Sequence, residues 1–421
     1  MTNTTPLPTA IPTARQLEFH DWEFGIFVHF GVRTFNEGHR DWDGKPMEAE
    51  SFQPANLDCD QWAKVAVDAG AKYMVLTAKH HDGFAIWPSK FTEFSVANST
   101  WKGGKGDVVR EYVDACRRHG LKVGLYYSPA DASATKYDTP KEYDDYFIGQ
   151  ISEILEPYGS IDILWFDGCG SEGHHYDWPR ITAEIRRLQP KILIFNMGDP
   201  DFRWVGNEAG LTPVPCWNTV DAVDFSVNTM EKQILGDKPL WLSPECDCMI
   251  RDVNWFFSDK DEHTVKSVAE LMGIYYRSVG RGSNLLINIG PNREGKLPDL
   301  DSERIIGMGN EVKRRLSTPF ATLAEAAVDG DVVTWTFPET ARVDHVVLQE
   351  ALEGGEHIRR FSVDIEGFPH SGPITVWEGY NIGHKAICHF PLTRVRKVNV
   401  RILEADGPWS LRAATLHQTE A

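Results

Sequence analysis

The stretch IDILWFDG, residues 161–168, decides the fold because it is a short apolar run that ends in a carboxylate and a glycine. A run with almost no polar face predicts a strand that is buried on both sides of a parallel sheet. Asp167, at its carboxyl end, falls where open α/β sheets and barrels place their chemistry. A lone aspartate at this point is also consistent with a helix cap or a turn. The segments on either side separate these interpretations.

Strand-like and helix-like segments alternate on both sides of this stretch. The predicted strands are residues 24–30, 73–78, 121–127, 161–166, 191–195, 222–227, 239–243 and 284–289. The predicted helices between them are residues 58–70, 106–119, 140–157, 177–189 and 262–279. This alternation predicts an α/β fold, an irregular (β/α)8-like barrel. A doubly wound open sheet is the alternative, but no glycine-rich phosphate turn follows the first strand.

The pattern changes after about residue 318. Short strands rich in β-branched residues, separated by Gly, Pro and Asp, follow at residues 332–337, 343–348, 360–365 and 398–403. This spacing predicts a C-terminal β-sandwich over residues 319–421, which leaves residues 15–318 as the barrel domain. Residues 1–14 are polar, contain three prolines and are expected to be disordered.

Composition excludes several classes of partner. The chain has 43 basic and 61 acidic residues, a formal charge of −18, which argues against nucleic acid and anionic membranes as partners. The N-terminus lacks the apolar segment of a signal peptide, and no later stretch is long enough to span a bilayer. As written, the sequence predicts a cytoplasmic protein, or a secreted one if a signal has been removed. Seven scattered cysteines indicate buried thiols rather than a disulfide framework.

Polar side chains at four predicted strand ends should meet on one face of the barrel. They are His29, His80 with His81, Tyr126 and Asp167. Histidine pairs in barrels can bind a metal, but the first strand has no His-x-His pair, so a metal site is disfavoured and no cofactor is expected. The other interpretation is a sugar pocket, in which imidazoles bind hydroxyls and aromatic faces cover C–H surfaces.

Glycoside hydrolysis requires two carboxyl groups that flank the anomeric carbon. Asp167 supplies the first. The second should lie on a loop over the same face, in an apolar setting that raises its pKa. Glu208, in the string FRWVGNEAG of residues 202–210, fits this description. Glu245, in the string LSPE, lies at another strand end, and spacing does not choose between the two glutamates.

Long strings of this sequence resemble glycoside hydrolase family 29, the retaining α-L-fucosidases. They are WEFGIFVHFG (22–31), AKYMVLTAKHHDGFAIWPSKFTEFSV (71–96), KGDVVREYVDACRRHGLKVGLYYSP (105–129) and LWFDG (164–168). Three later strings are similar to the subfamily that acts on branched α-1,3/1,4-linked fucose. They are RWVGNEAG (203–210), PECDCMIRD (244–252) and KSVAELMGIYYRSVGRGSNLLINIGPNREGKLP (266–298). The resemblance covers nearly all of residues 15–318.

This resemblance implies a function and a set of site residues. It implies that Asp167 is the nucleophile and Glu208 the acid/base. It also implies that the fucose ring is held by His29, Trp42, His80, His81, Tyr126 and Trp217. The C-terminal part resembles the family's galactose-binding-like β-sandwich. One departure is the string IFNMGDPD, residues 194–201, which differs from the D-G-G-P-D type expected in the family. The resemblance therefore does not specify the loop before Glu208 or the fine substrate preference.

The expected function is that of a retaining exo-α-L-fucosidase. Its substrates would be branched, Lewis-type oligosaccharides or glycoconjugates that carry terminal α-1,3/1,4-linked fucose. Two alternatives are a broad-specificity α-L-fucosidase that also cleaves α-1,2 linkages, and a lectin-like fucose-binding protein. The sequence leaves the oligomeric state open.

Overall fold

A closed barrel of eight parallel strands forms the first domain of the computed structural model, which describes residues 9–37, 47–367 and 372–420. The strands are β1 Phe24–Val28, β2 Tyr73–Lys79, β3 Lys122–Tyr127, β4 Ile163–Phe166, β5 Leu193–Phe195, β6 Phe202–Trp204, β7 Ser243–Met249 and β8 Asn284–Asn288. They pair in chain order around the ring, and β8 closes onto β1. The predicted barrel is therefore confirmed.

Seven α-helices lie in the described part of the chain. They are α1 Ala14–Trp22, α2 Cys59–Asp68, α3 Val108–Arg118, α4 Pro140–Leu155, α5 Trp178–Leu188, α6 Val268–Arg277 and α7 Asp299–Leu316. Three of them begin at an aspartate, Asp58, Asp107 or Asp177, whose side chain accepts a backbone N–H of the first turn. Each such cap stabilises its helix by about 1 kcal/mol.

The position of Asp167 follows from the geometry of strand β4. Leu164 lies opposite Leu125 and Ile194 on the neighbouring strands, and every residue of β4 is buried. Trp165 packs in the aromatic cluster inside the barrel, whereas Leu164 belongs to the larger core outside it. Because successive strand residues face opposite sides, Asp167 follows Trp165 onto the inner side.

The sequence prediction was wrong about the sixth and seventh barrel strands. The segment predicted at residues 222–227 forms a small antiparallel sheet outside the barrel, in which Ala222–Asp224 pairs with Lys232–Ile234. Leu240–Trp241 pairs with Thr219–Val220 in a second such sheet. The sixth and seventh barrel strands are instead β6 and β7. Strand β6 has only three residues, and β7 contains acidic residues, so neither has the sequence pattern of a buried strand.

The C-terminal domain is an antiparallel β-sheet folded into two layers. Its strands are β9 Ala321–Thr322, β10 Ala327–Asp329, β11 Val332–Glu350, β12 Ile358–Glu366, β13 Ile374–Gly379, β14 Ala386–Ala405 and β15 Leu411–His417. The long strands β11 and β14 contribute to both layers, since their two ends have different partners. Apolar residues such as Trp335 and Val400 fill the space between the layers.

The N-terminal segment was expected to be disordered to residue 14, but residues 9–14 pack against the barrel domain. The Ala10 amide donates to Thr219 Oγ1 at 3.1 Å, and Thr13 forms a capping box with Gln16 at the start of α1. Residues 1–8 lie outside the described part of the chain. The side-chain cap and the long-range hydrogen bond account for the order of this proline-containing stretch.

The state of the cysteines and the character of the helices can be compared with the sequence predictions. All seven cysteines lie in the described ranges, where they are free thiols, and only Cys169 is more than marginally exposed. Across residues 9–37, 47–367 and 372–420, no helix combines the length and the apolar character needed to cross a bilayer.

Candidate active site

A narrow cavity of about 130 Å³ opens at the carboxyl end of the barrel strands. Its polar wall residues come from strand ends and from the loops that follow them. They are His29, His80, His81, Asp167, Cys169, Asn196, Glu208, Ser226 and Asp247. Aromatic side chains complete the wall, namely Phe27, Tyr126, Trp165, Phe166, Phe195, Trp204, Phe225 and Trp255. The barrel thus gathers five of the predicted substrate or nucleophile residues and one of the two candidate glutamates.

Asp167 accepts polar contacts on both carboxylate oxygens. Tyr126 Oη donates to Oδ2 at 2.9 Å, and the Cys169 N–H donates to Oδ1 at 2.8 Å. His81 Nε2 lies 3.3 Å from Oδ2. Burial alone would raise the pKa of Asp167, but the charge of His81 and these hydrogen bonds outweigh it and hold that pKa below its ordinary value. Asp167 is therefore an ionised carboxylate at neutral pH.

His81 is a cation, and its second nitrogen shows why. Ser128 Oγ donates its own proton to the Ala130 carbonyl at 2.7 Å, so it accepts from His81 Nδ1 at 2.6 Å. With Nδ1 protonated, Nε2 can face the Asp167 carboxylate favourably only if it also carries a proton. Burial lowers the pKa of His81, but the negative charge of Asp167 more than compensates and raises it to about 9. The two groups form an ion pair in the cavity wall, in which His81 is buried and Asp167 is partly exposed.

His29, by contrast, is neutral. Asn288 Nδ2 donates to the Trp255 carbonyl at 2.7 Å, so Asn288 Oδ1 accepts from His29 Nδ1 at 2.7 Å. Burial lowers the pKa of His29 to about 3, and the hydrogen bond with Asn288 offsets this only in part. Its Nε2 therefore remains an acceptor for a hydroxyl group.

His80 is also neutral and packs between aromatic rings. Burial lowers the pKa of His80 well below the ordinary value, and the neighbouring His81 and His29 lower it further. Its ring stacks on Tyr126 with centroids 5.5 Å apart and planes 8° from parallel. Within the described part of the chain, Nδ1 of His80 has no hydrogen-bond partner. The histidines thus present one cation and two neutral rings to the cavity.

Glu208 lies on a loop that the barrel holds by its backbone. The Val205 and Gly210 amides donate to the carbonyls of Glu245 and Asp247, each at 3.1 Å. Gly210 adopts φ +70°, where a side chain would be strained. Although part of Glu208 is exposed at the cavity mouth, desolvation by the walls raises its pKa to about 7. The negative charge of Asp167 adds to this rise.

The structure places Glu245 outside the cavity. Its carboxyl lies inside the barrel, where it accepts hydrogen bonds from Tyr73 Oη at 2.6 Å and from Trp165 Nε1 at 2.8 Å. Burial raises its pKa to about 7, against the effect of these two donors. Glu208 and Glu245 therefore have similarly raised pKa values, but only Glu208 reaches the cavity wall.

Of the two tryptophans predicted to hold the ring, only Trp217 is described, and it does not line the cavity. Trp42 lies outside the described residues. Trp217 packs against the C-terminal domain instead, with the guanidinium carbon of Arg359 4.5 Å from its ring centroid. Trp255, which the sequence analysis did not single out, lines the cavity with its ring 4.9 Å from that of His29.

Sequence reasoning also missed four polar wall residues, which are Cys169, Asn196, Ser226 and Asp247. Asp247 accepts a hydrogen bond from Trp204 Nε1 at 2.8 Å, and burial raises its pKa well above the ordinary value. Glu245 and Asp247 are two residues apart in one strand, so their side chains face the same side, which is the inside of the barrel. Asn196 lies in the string 194–201, which differs from the family pattern. It has φ +64°, and its Oδ1 accepts a hydrogen bond from the Trp204 amide at 3.1 Å.

Comparisons with known proteins agree with this site. The family model described as Alpha-L-fucosidase matches residues 10–315. Alpha-L-fucosidase 1 of Arabidopsis thaliana is 33% identical over 353 residues, which are 82% of this chain and 68% of that protein. The structure of a glycoside hydrolase 29 family member from an unknown rumen bacterium has a TM-score of 0.88 and 31% identity, covering 99% of this chain and 78% of that one.

A second solved structure bears a ligand. It is a GH29 fucosidase of Ruminococcus gnavus in complex with fucose, with a TM-score of 0.86 and 26% identity, covering 99% of this chain and 97% of that one. The family match spans the whole barrel, including every residue that lines the cavity. The chain therefore belongs to the alpha-L-fucosidase family, glycoside hydrolase family 29, and is an α-L-fucosidase.

Proposed function

We propose that this α-L-fucosidase is exo-acting and retaining, with Asp167 as the nucleophile and Glu208 as the acid/base. The observation that carries the proposal is that two carboxyl groups line one cavity and that their surroundings shift their pKa values in opposite directions. The pKa of Asp167 is lowered beside cationic His81, whereas that of Glu208 is raised to about 7. Paired carboxyl groups whose environments push their pKa values apart are the usual basis of acid and nucleophile roles in glycosidases.

The mechanism is a double displacement. An Asp167 oxygen attacks the anomeric carbon while Glu208 gives its proton to the glycosidic oxygen, whose bond to that carbon breaks. This leaves a fucosyl ester on Asp167 and releases the rest of the glycan as an alcohol. Glu208, now a carboxylate, takes a proton from water, which displaces Asp167 and releases fucose with retained configuration. A retaining pair requires carboxyl groups about 5–5.5 Å apart in the substrate-bound state.

Polar and aromatic groups of the cavity supply the sugar contacts in this proposal. Nε2 of His29 accepts a hydrogen bond from a fucose hydroxyl, and Tyr126 and His80 offer further polar groups to the sugar. The ring of Trp255 offers an apolar surface to the C–H groups of the sugar. The fucose bound in the R. gnavus relative supports a monosaccharide as the occupant of such a cavity. Trp42, outside the described residues, remains a sequence-based prediction, and Trp217 is not among the residues that line the cavity.

We assign terminal α-1,3/1,4-linked fucose on branched, Lewis-type oligosaccharides or glycoconjugates as the substrate. The strings RWVGNEAG and PECDCMIRD support this, because they resemble the subfamily with that preference and include Glu208 and Asp247. The narrow cavity, which opens beside Glu208, supports an exo mode in which only the terminal fucose enters.

The test measures fucose release from a Lewis-type trisaccharide, from 2'-fucosyllactose and from an aryl α-L-fucoside. We expect turnover of the trisaccharide and the aryl substrate, with little on 2'-fucosyllactose. Efficient cleavage of 2'-fucosyllactose would favour the broad-specificity alternative, and fucose binding without turnover would favour the lectin-like one. Proton NMR of the first-formed anomer tests retention, since an inverted product would refute the nucleophile role of Asp167.

A further inference from the structure

A two-stranded hairpin leads from the cavity wall into solvent. Its strands are Ala222–Asp224 and Lys232–Ile234, and the first residues of its turn, 225–227, line the cavity. Val227 is nevertheless 53% exposed, and Met230, further along the turn, is 95% exposed. The hairpin therefore presents apolar side chains at the cavity mouth that the fold itself leaves uncovered.

The turn of this hairpin is fixed to the loop after β4, which carries the proposed nucleophile. Asn228 Nδ2 donates to Cys169 Sγ at 3.1 Å. A Cβ added to Gly168 would lie only 1.8 Å from the carbonyl oxygen of Phe225, so the two backbones are in direct contact. Val227, which lies between these two contacts in the sequence, consequently keeps a fixed position relative to that loop.

The base of the hairpin contacts the loop between β5 and β6 and also the loop after β6, which carries Glu208. Asn196 Nδ2 donates to the Asp224 carbonyl at 2.9 Å. A Cβ on Gly206, two residues before Glu208, would lie 3.0 Å from Asp224 Oδ2. Glu208 and Val227 both line the cavity and are both exposed at its mouth. The hairpin and Glu208 therefore border the same opening.

We propose that this hairpin forms the subsite for the sugar to which the fucose is attached, with Val227 as its apolar contact. The inference rests on the proposed function, in which Glu208 protonates the oxygen that joins the two sugars. That oxygen must lie within hydrogen-bond distance of Glu208, so the second sugar occupies the opening beside the hairpin. A pyranose ring presents C–H groups on its faces, and a pre-positioned isopropyl group gains free energy by covering them.

The test compares leaving groups that do and do not fill this subsite. Fucosyl fluoride releases only a fluoride ion, whereas a Lewis-type trisaccharide places a sugar against the hairpin. For Val227→Asp we expect kcat/KM on the trisaccharide to fall about 10-fold or more, and at least about fivefold further than on fucosyl fluoride. The matched control is Ile234→Asp, on the outer strand and 70% exposed, which should change neither value by more than about twofold.

Equal losses of the Val227→Asp variant on both substrates would overturn the proposal, since they would mean that the side chain shapes only the fucose cavity. Unchanged kcat/KM on both would overturn it as well. If Val227→Asp fails to fold by circular dichroism, Val227→Thr keeps the shape and should show a trisaccharide-specific loss of about threefold. A wild-type enzyme that hydrolyses fucosyl fluoride but not the trisaccharide would instead contradict the linkage preference, and 2'-fucosyllactose then replaces it in the comparison.

Discussion

Glu208→Ala should remove proton donation while it leaves the fold intact. The loop is held by backbone hydrogen bonds, from the Val205 and Gly210 amides to the carbonyls of Glu245 and Asp247 at 3.1 Å each. Truncation of the exposed Glu208 side chain disturbs none of these bonds. A general acid contributes about 10²–10⁴ in rate, or roughly 3–5 kcal/mol of transition-state stabilisation. The expected loss of kcat/KM on a natural glycoside is therefore of this size, with an unchanged Tm.

The leaving group provides the assay for this prediction. A trisaccharide leaves as a poor alkoxide and needs the proton, whereas an activated aryl fucoside needs little protonation. Glu208→Ala should therefore lose at most about 10-fold on the aryl substrate. Wild-type kcat/KM on the trisaccharide should fall as the pH rises through about 7, because the proton of Glu208 is lost there. This basic limb should be absent in Glu208→Ala.

Glu245→Ala is the matched comparison, because that carboxyl has a similarly raised pKa but lies outside the cavity. Its removal leaves the buried Tyr73 hydroxyl and Trp165 indole N–H without their acceptor. Each unsatisfied buried donor costs about 1–3 kcal/mol, so the free energy of unfolding should fall by roughly 2–6 kcal/mol. Any loss of activity should be equal on both substrates. A leaving-group-dependent loss in Glu245→Ala, with no such dependence in Glu208→Ala, would refute the assignment.

Three further variants test the environment of the nucleophile. Asp167→Asn should abolish turnover, and a carbon-13 NMR titration of this variant should give Glu208 a pKa below about 7, because the charge of Asp167 contributes to its elevation. His81→Gln removes the charge that holds the pKa of Asp167 down, so the acid limb of kcat/KM on an aryl fucoside should move to higher pH. Gly168→Ala forces a methyl group to within 1.8 Å of a hairpin carbonyl oxygen and should lower kcat/KM about 100-fold. Gly273→Ala, with nothing within 4 Å, should change kcat/KM by less than about twofold.

Local sequence patterns predicted the barrel well where strands are apolar on both faces. The segment predicted at residues 161–166 corresponds to β4, Ile163–Phe166, and the helix predicted at 177–189 corresponds to α5. These elements carry their signal in their own residues, namely continuous burial and 3.6-residue periodicity. The (β/α)8-like architecture follows from their repetition along the chain.

The prediction failed where the identity of a strand depends on its partners. Residues 222–224 do form a strand, but its partner is Lys232–Ile234 rather than a barrel neighbour. Strand β7 contains Glu245 and Asp247, which a local pattern does not associate with burial. They are buried because Tyr73, Trp165 and Trp204 donate hydrogen bonds to them from distant parts of the chain.

At the candidate site, too, local sequence signals were predictive and contacts between distant residues were not. Asp167, His29 and the histidine pair were identifiable because they follow apolar strands directly, so strand order brings them together. Trp217 was assigned to the ring by resemblance, yet its ring packs on Arg359 of the other domain. Such a contact joins residues 142 positions apart in sequence, and no local pattern specifies it.

The electrostatics of the cavity couple the two proposed catalytic groups through one charge. Desolvation by the cavity walls contributes most to the raised pKa of Glu208, and the carboxylate of Asp167 raises it further, which favours the protonated acid while Asp167 is free. Formation of the fucosyl ester removes that charge, so this contribution to the raised pKa of Glu208 is lost. The pKa of Glu208 must fall at the step in which it has just given up its proton. The same side chain is thereby suited to act as an acid in the first displacement and as a base in the second.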